Sequence, residues 1–377
     1  MSEKLRQARK ARGWSQERLV REIERHARQH VLDVASTASL RVYVSEWENG
    51  RRTVSSRYAA VLRALLGMTD RELFKEEPRP LAAAPVDGYE ELISRVDSAR
   101  SVSLTMVDTF MNQTELLRSM DRQMGAASLV DQMAGHLAAL EEALTFAVLP
   151  GTRRPIARAL AGAATLAAWQ ALDAGAVDRA WRNYELGKRA AQEADEPMYL
   201  AHAKGEQAYV LADAGRPELG VELIRDARQA GGTRLSPRLT AWLYAAEAEL
   251  CARAGRPDEC RQALDAAAAV LPGGEEARDS DMPSIFLNRA HLARWRGNAL
   301  VLLGNDDAVT ASYDALAAMD PTFVRAASGL RCDLAQAHLV RGEHEEARTH
   351  LQQARLLANR TGSVRHRRRI EQLTGEL

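Results

Sequence analysis

Apolar residues recur along this chain at helical spacing rather than in alternation. Leu5 and Ala8 share one face of a first helix that stops near Gly13, and Leu19, Val20 and Ile23 form the stripe of a second. Ser15, just ahead of that stripe, can accept a hydrogen bond from a free backbone N–H at the helix start. A third helix carries SLRVYVSEWENG, and Asn49-Gly50 is a normal helix stop. In it Val44 and Trp47 face the core, which leaves Arg41, Tyr43, Ser45 and Glu46 largely toward solvent. A fourth helix, YAAVLRALLG, turns Val61, Leu62, Leu65 and Leu66 inward. Residues 89–150 read as connecting amphipathic helices that end at Pro150-Gly151, and from about 156 the pattern is helix, short Gly turn, helix. Ala, Leu and Arg recur throughout while Val-Ile-Thr runs of period two are scarce, so the predicted fold class is all-α.

Five of the Gly turns line up. Gly175, Gly215, Gly255, Gly304 and Gly342 are separated by 40, 40, 49 and 38 residues. Seven residues before each stand Ala168, Ala208, Ala248, Gly297 and Ala335, all small. Five after stand Ala180, Gly220, Cys260, Val309 and Ala347, nearly all small; nine after stand Tyr184, Ile224, Leu264, Tyr313 and Leu351, all large. Small residues at two fixed places let paired antiparallel helices approach closely, and a large residue one turn later fills the groove between them. Such hairpins cannot bury their faces singly, so they stack, with a concave wall on one side.

Charge divides the chain. Its 51 Lys/Arg and 51 Asp/Glu cancel, but residues 1–75 hold 16 basic against 9 acidic side chains, a net of +7 balanced by −7 over the rest. A basic head on an acidic body points to a polyanionic partner for the head alone. Three prolines in KEEPRPLAAAPVDG mark a linker at 76–88. The expected domains are therefore a head at 1–75, that linker, connecting helices at 89–150, and repeats at 151–377 closed by a capping helix. Three cysteines make no disulfide framework, the N-terminus lacks an apolar signal stretch, and no apolar run approaches the roughly 20 residues that span a bilayer. A cytoplasmic protein without a membrane partner is the expectation.

The head has a recognisable combination of motifs. LRQARKARGWSQERLVREI followed by VSEWENGRR resembles the Xre/Cro-type helix-turn-helix family, in particular its actinobacterial regulators. The resemblance implies that residues about 39–49 form a recognition helix in the major groove of double-stranded DNA. Arg41 can then donate two parallel hydrogen bonds to guanine, with Tyr43 and Ser45 adding base or phosphate contacts. Arg51, Arg52 and Arg57 suit phosphate clamping, and Gln16 corresponds to a family glutamine that touches a phosphate. The stretch ERHARQHVLDVASTA is inserted relative to the usual spacing; it lengthens the second helix or adds a turn. Helix-turn-helix proteins usually bind two half-sites, so a homodimer is expected.

The body resembles the tetratricopeptide repeat, at a longer period than the usual 34 or so residues. By that resemblance the inner wall carries Trp169, His202, Tyr209, Trp242, Glu249, Arg294, Asn298 and Gln336. Aromatics with amides and single charges suit an extended peptide. The combination of both parts is similar to the peptide-responsive quorum-sensing regulators. It implies a ligand-sensing transcriptional regulator whose signal is a short peptide or a partner protein. The alternative is an interaction scaffold with a secondary DNA-binding head.

No chemistry of catalysis is legible. HEEARTH fails the zinc-protease spacing, because the position four beyond His344 is Arg348 and the second histidine comes six along. No His/Cys cluster has metal spacing, and no glycine-rich phosphate cradle occurs, so no metal, cofactor or enzyme activity is expected. VRHRRRIEQL reads as the basic amphipathic cap of the array, and Cys260 as a packing residue.

Overall fold

A computed structural model describes the chain apart from residues 1, 31, 33, 50, 52–53, 68–87, 275–277, 280–281 and 306–307, with the backbone alone at 2–4 and 56–57. The described residues form eighteen α-helices and no strand; one isolated bridge joins Arg278 and Phe286. The chain divides into two units, 1–91 and 92–377. The expected linker lies outside the described residues except for Gly88, which opens a helix.

The first unit holds α1 (Ser2–Ala11), α2 (Gln16–Gln29), α3 (Thr37–Glu48) and α4 (Ser56–Leu66). Ser15 caps α2 by accepting from Arg18 N, and Ser36 caps α3 by accepting from Ser39 N. The inserted residues lengthen α2 to fourteen residues. Leu5, Leu19, Ile23, Leu40, Val44, Trp47 and Leu62 are buried together, each such side chain contributing about 1.5–3 kcal/mol. Leu65 is only partly buried.

The second unit begins with α5 (Gly88–Arg100), whose first turn spans the division, then α6 (Leu104–Met124) and α7 (Val130–Phe146). Five hairpins follow: α8 (Pro150–Asp173) with α9 (Val177–Ala194), α10 (Pro197–Asp213) with α11 (Pro217–Gly231), α12 (Pro237–Arg253) with α13 (Pro257–Val270), α14 (Arg289–Leu302) with α15 (Ala308–Ala317), and α16 (Val324–Val340) with α17 (His344–Thr361). The last helix is α18 (Val364–Thr374). Five of these helices start on a proline, which needs no donor at that position.

All five turn glycines have positive φ, between 65° and 77°, as an equivalent turn requires. The small column before them is buried throughout. At Gly220 a Cβ would sit 2.9 Å from the Ala208 carbonyl oxygen, so the two small columns meet across one hairpin. The fourth hairpin departs from the pattern. Val309 is half-buried and Tyr313 is 42% exposed, because here the buried positions fall one residue earlier, at Ala308 and Ser312. Tyr313 does not fill an interhelical groove; its hydroxyl shares a hydrogen bond with His350 Nε2 at 2.8 Å.

The ends of the array touch. Helices α16 and α17 pack on α6, and α18 packs on α8 as well as on α16 and α17. Gly125, at φ +81°, lies so close to α17 that a Cβ would meet the Thr361 carbonyl oxygen at 1.9 Å. Cys251, Cys260 and Cys332 are buried, and burial pushes each thiol up to about 11. All three are therefore expected to resist a disulfide-exchange reagent at about pH 8 in the folded chain and to react once it is denatured.

Candidate functional site

In the first unit the third helix is locked in place by one carboxylate. Glu48, 1% exposed, accepts from Arg9 Nε at 2.5 Å, from a second Arg9 nitrogen at 2.9 Å, and from Gln16 Nε2 at 2.8 Å. Arg6 donates to Asn49 Oδ1 at 2.7 Å. Burial alone would raise the Glu48 carboxyl. The hydrogen bonds from Arg9 and Gln16 and the charges of Arg9 and Arg6 outweigh it and hold the carboxyl below its ordinary value. These contacts tie α1 and the start of α2 to the end of α3.

The exposed side of α3 carries Arg41, whose guanidinium lies 3.7 Å from exposed Glu17. Ser45 is half-buried, and its backbone carbonyl accepts from Asn49 Nδ2 at 2.8 Å. Arg51 is exposed just beyond the helix. Tyr43 is not on the solvent side. It is half-buried, its ring 5.9 Å from Trp47 and 6.1 Å from Tyr58, because a residue one turn from Trp47 shares the edge of its stripe. Gln16 points to Glu48. Arg52 and the Arg57 side chain lie outside the described residues.

In the second unit a cavity of about 300 Å³ opens on the inner side of the hairpins. Seven of the eight wall residues expected from the sequence line it together: Trp169, His202, Tyr209, Trp242, Glu249, Arg294 and Asn298. The eighth, Gln336, does not; its Oε1 accepts from Arg369 at 3.0 Å. Trp169 stands edge-on to Tyr209, His202 to Trp242, and Trp242 to Trp295, with centroids 5.3–6.1 Å apart. Tyr209 donates to Glu249 Oε2 at 3.0 Å, and burial, with the Glu249 charge, pushes its hydroxyl well up. Burial would raise Glu249, but Arg253, Arg365 and Arg294 hold it down.

The remaining walls come from places the repeat columns do not reach. Arg118 and Arg122 enter from α6, Ser284 and Phe286 from the segment ahead of α14, Phe323 and Arg325 from the start of α16. Helix α18 contributes Arg365, His366 and Arg369. Its outer side carries exposed Arg368, Glu371 and Gln372, as an end cap would, while Arg365, His366 and Arg369 turn inward. Arg365 donates to both Asp213 oxygens, at 2.5 and 2.9 Å, with its guanidinium 5.6 Å from the Trp169 ring and 5.8 Å from that of Tyr209. Arg369 lies 2.7 Å from Asp333. Arg325, buried, pairs with Asp121 and lies 3.5 Å from Asp173, which also accepts from Ser363 Oγ at 2.6 Å. The wall is thus partly occupied by the chain's own last helix.

No protein-family model matches the chain, and no curated protein matches it either. The physical chemistry of the two sites therefore carries the functional reading. No helix among the described residues is long and apolar enough to cross a membrane.

Buried histidines make the second unit sensitive to acid. Burial above all pushes His291 and His350 down to about 4 and His366 down to about 3. Each stays neutral in the folded chain while its unfolded counterpart protonates below about pH 6.5. Unfolding then takes up protons, so stability is full above that pH and falls as the pH descends toward the folded values. Each histidine steepens the fall by roughly 1.4 kcal/mol per pH unit. Thermal midpoints measured at about pH 7.5, 6 and 5 should decrease in that order, and His366→Gln should flatten the trend.

Proposed function

We propose that the chain is a sequence-specific DNA-binding transcriptional regulator whose second unit senses a ligand. The carrying observation is the first unit: a net charge of +7 over residues 1–75, with a helix whose outer side bears Arg41 and whose inner side is clamped by Glu48. A rigid helix with an exposed arginine and further arginines just beyond it is suited to a major groove, with phosphate contacts fixing its position. Zero net charge for the whole protein, with the excess confined to the head, favours a polyanion at that end alone. The resemblance to Xre/Cro-type regulators agrees with this reading. The hairpin body, with its tetratricopeptide-like columns, supplies the sensor, and a homodimer would present two heads to two half-sites. A bound ligand changes DNA affinity by favouring one arrangement of the hairpins over another. A peptide running along the whole wall would have to displace α18.

Genome-wide mapping of bound DNA tests the reading and would yield the operator and half-site spacing together. On the operator so found, Arg41→Ala should cost about 1–3 kcal/mol and relax specificity at one base pair. Adding Arg51→Ala and Arg52→Ala should lower affinity on all duplexes and flatten the log–log salt dependence by about one per lost phosphate contact. Mapping that returns no enriched sites would reject the regulator in favour of a scaffold.

A further inference from the structure

The cavity has more positive charge than its own carboxylates neutralise. Seven arginines and five carboxylates line it. Arg325 is matched by Asp121 and Asp173, Arg369 by Asp333 and Arg253 by Glu249; Glu206 lies 3.2 Å from His202 Nε2, and Arg118 and Arg365 pair with Glu115 and Asp213 beside the cavity. Arg122 and Arg294 are left over: among the described residues neither has a carboxylate within salt-bridge distance. Their contacts are aromatic. The Arg122 guanidinium lies 5.6 Å from the Phe286 ring and 5.2 Å from that of Phe323, and Arg294 lies 5.9 Å from the Trp295 ring.

These two cations belong to one end of the cavity. Phe286 and Phe323 are 5.1 Å apart and both pack on His291, whose protonation is opposed by burial and by the charges of Arg294 and Arg122. Burial, with the charges of Arg118 and Arg278, pushes Arg122 itself down to about 10, so an incoming anion would relieve an existing like-charge repulsion. The same cavity offers hydrogen-bonding groups without partners. Asn298, only 8% exposed, donates through Nδ2 to Asp333 at 2.8 Å, but its buried Oδ1 has no partner among the described residues, and neither has Ser284 Oγ. A buried acceptor in that state is costly until a donor reaches it.

Volume, aromatics, cations and a spare acceptor together specify a ligand class. We infer that the cavity binds a small aromatic carboxylate, its carboxylate held by Arg122 and Arg294, its ring among the aromatic side chains, and a hydroxyl or N–H on that ring donating to Asn298 Oδ1. The planar guanidinium fork matches a carboxylate, and about 300 Å³ is the lower end of small-molecule sites. This rests on the sensor reading for its purpose, but the binding itself is independent of DNA.

The test uses the full chain without DNA. Calorimetry and saturation-transfer NMR compare 4-hydroxyphenylacetate and indole-3-acetate with their carboxamides. The acids should bind saturably, one per chain, and at least tenfold more tightly than the amides. Arg122→Gln and Arg294→Gln should each erase most of that preference while leaving the circular dichroism spectrum unchanged. Should either variant fail to fold, the acid–amide comparison on the unaltered chain still decides. Equal binding of acid and amide, or saturable binding of neither, overturns the inference. Neither result touches the regulator reading, which stands or falls on mapped DNA sites. Acid binding that leaves affinity for a mapped operator unchanged would uphold the site and remove its sensory role.

Discussion

Glu48→Ala is expected to melt the first unit while leaving the hairpins folded. The substitution strands Arg9 as a buried cation and removes the acceptor shared with Gln16, a loss of about 3–5 kcal/mol for a buried pair broken on one side. A domain's whole stability is only about 5–15 kcal/mol, and a unit this small lies at the low end. Hydrogen exchange should show protection lost over residues 5–66 and retained over residues 150–370. Duplex binding should vanish with it. Glu48→Gln keeps an acceptor for Arg9 and should lose less. Retention of full protection in the alanine variant would remove Glu48 from its role as the fastening of α3.

Arg325→Leu is expected to open the array. It leaves Asp121 and Asp173, 2% and 3% exposed, without their shared cation, at a cost again of about 3–5 kcal/mol. Because Arg325 joins α16 to α6 and α8, the loss falls on the contact between the two ends rather than on any one hairpin. Small-angle scattering should report a larger radius of gyration, and exchange should accelerate in α6 and α18 first. The stranded carboxylates would take up protons more readily than ordinary ones, so the gap between variant and parent should narrow below about pH 5. An unchanged radius with unchanged exchange would show that the ends are held by packing alone.

Local structure was legible in the sequence and closure was not. The apolar stripes at Leu19, Ile23, Val44 and Leu62, the cap at Ser15 and the turn glycines are set by neighbours a few residues away, and the structure has them as expected. Seven wall residues of the cavity were also within reach, because a repeated hairpin puts the same position on the same side each time. Tyr43 is half-buried because it stands on the border of its stripe, where one turn of helix does not separate core from surface. Tyr313 stands outside the core because the stripe of α15 begins one residue earlier after its turn glycine than in the other hairpins, an offset that a fixed count from the glycine does not register. The role of Glu48 is not legible locally, because its partner Arg9 is 39 residues away. The inward face of α18 depends on Asp173 and Asp213, 190 and 152 residues upstream, and no periodicity encodes such pairings.

Those long separations also bear on how the chain is made. Arg325 meets Asp121 across 204 residues, and Ser363 meets Asp173 across 190. During synthesis each early hairpin can form as it leaves the ribosome, since its own contacts are local and quick to find. The cavity cannot, for one of its sides is α18, which emerges only after all five hairpins. A protein deprived of α18 would keep its head and most of its helices yet lack a finished chamber.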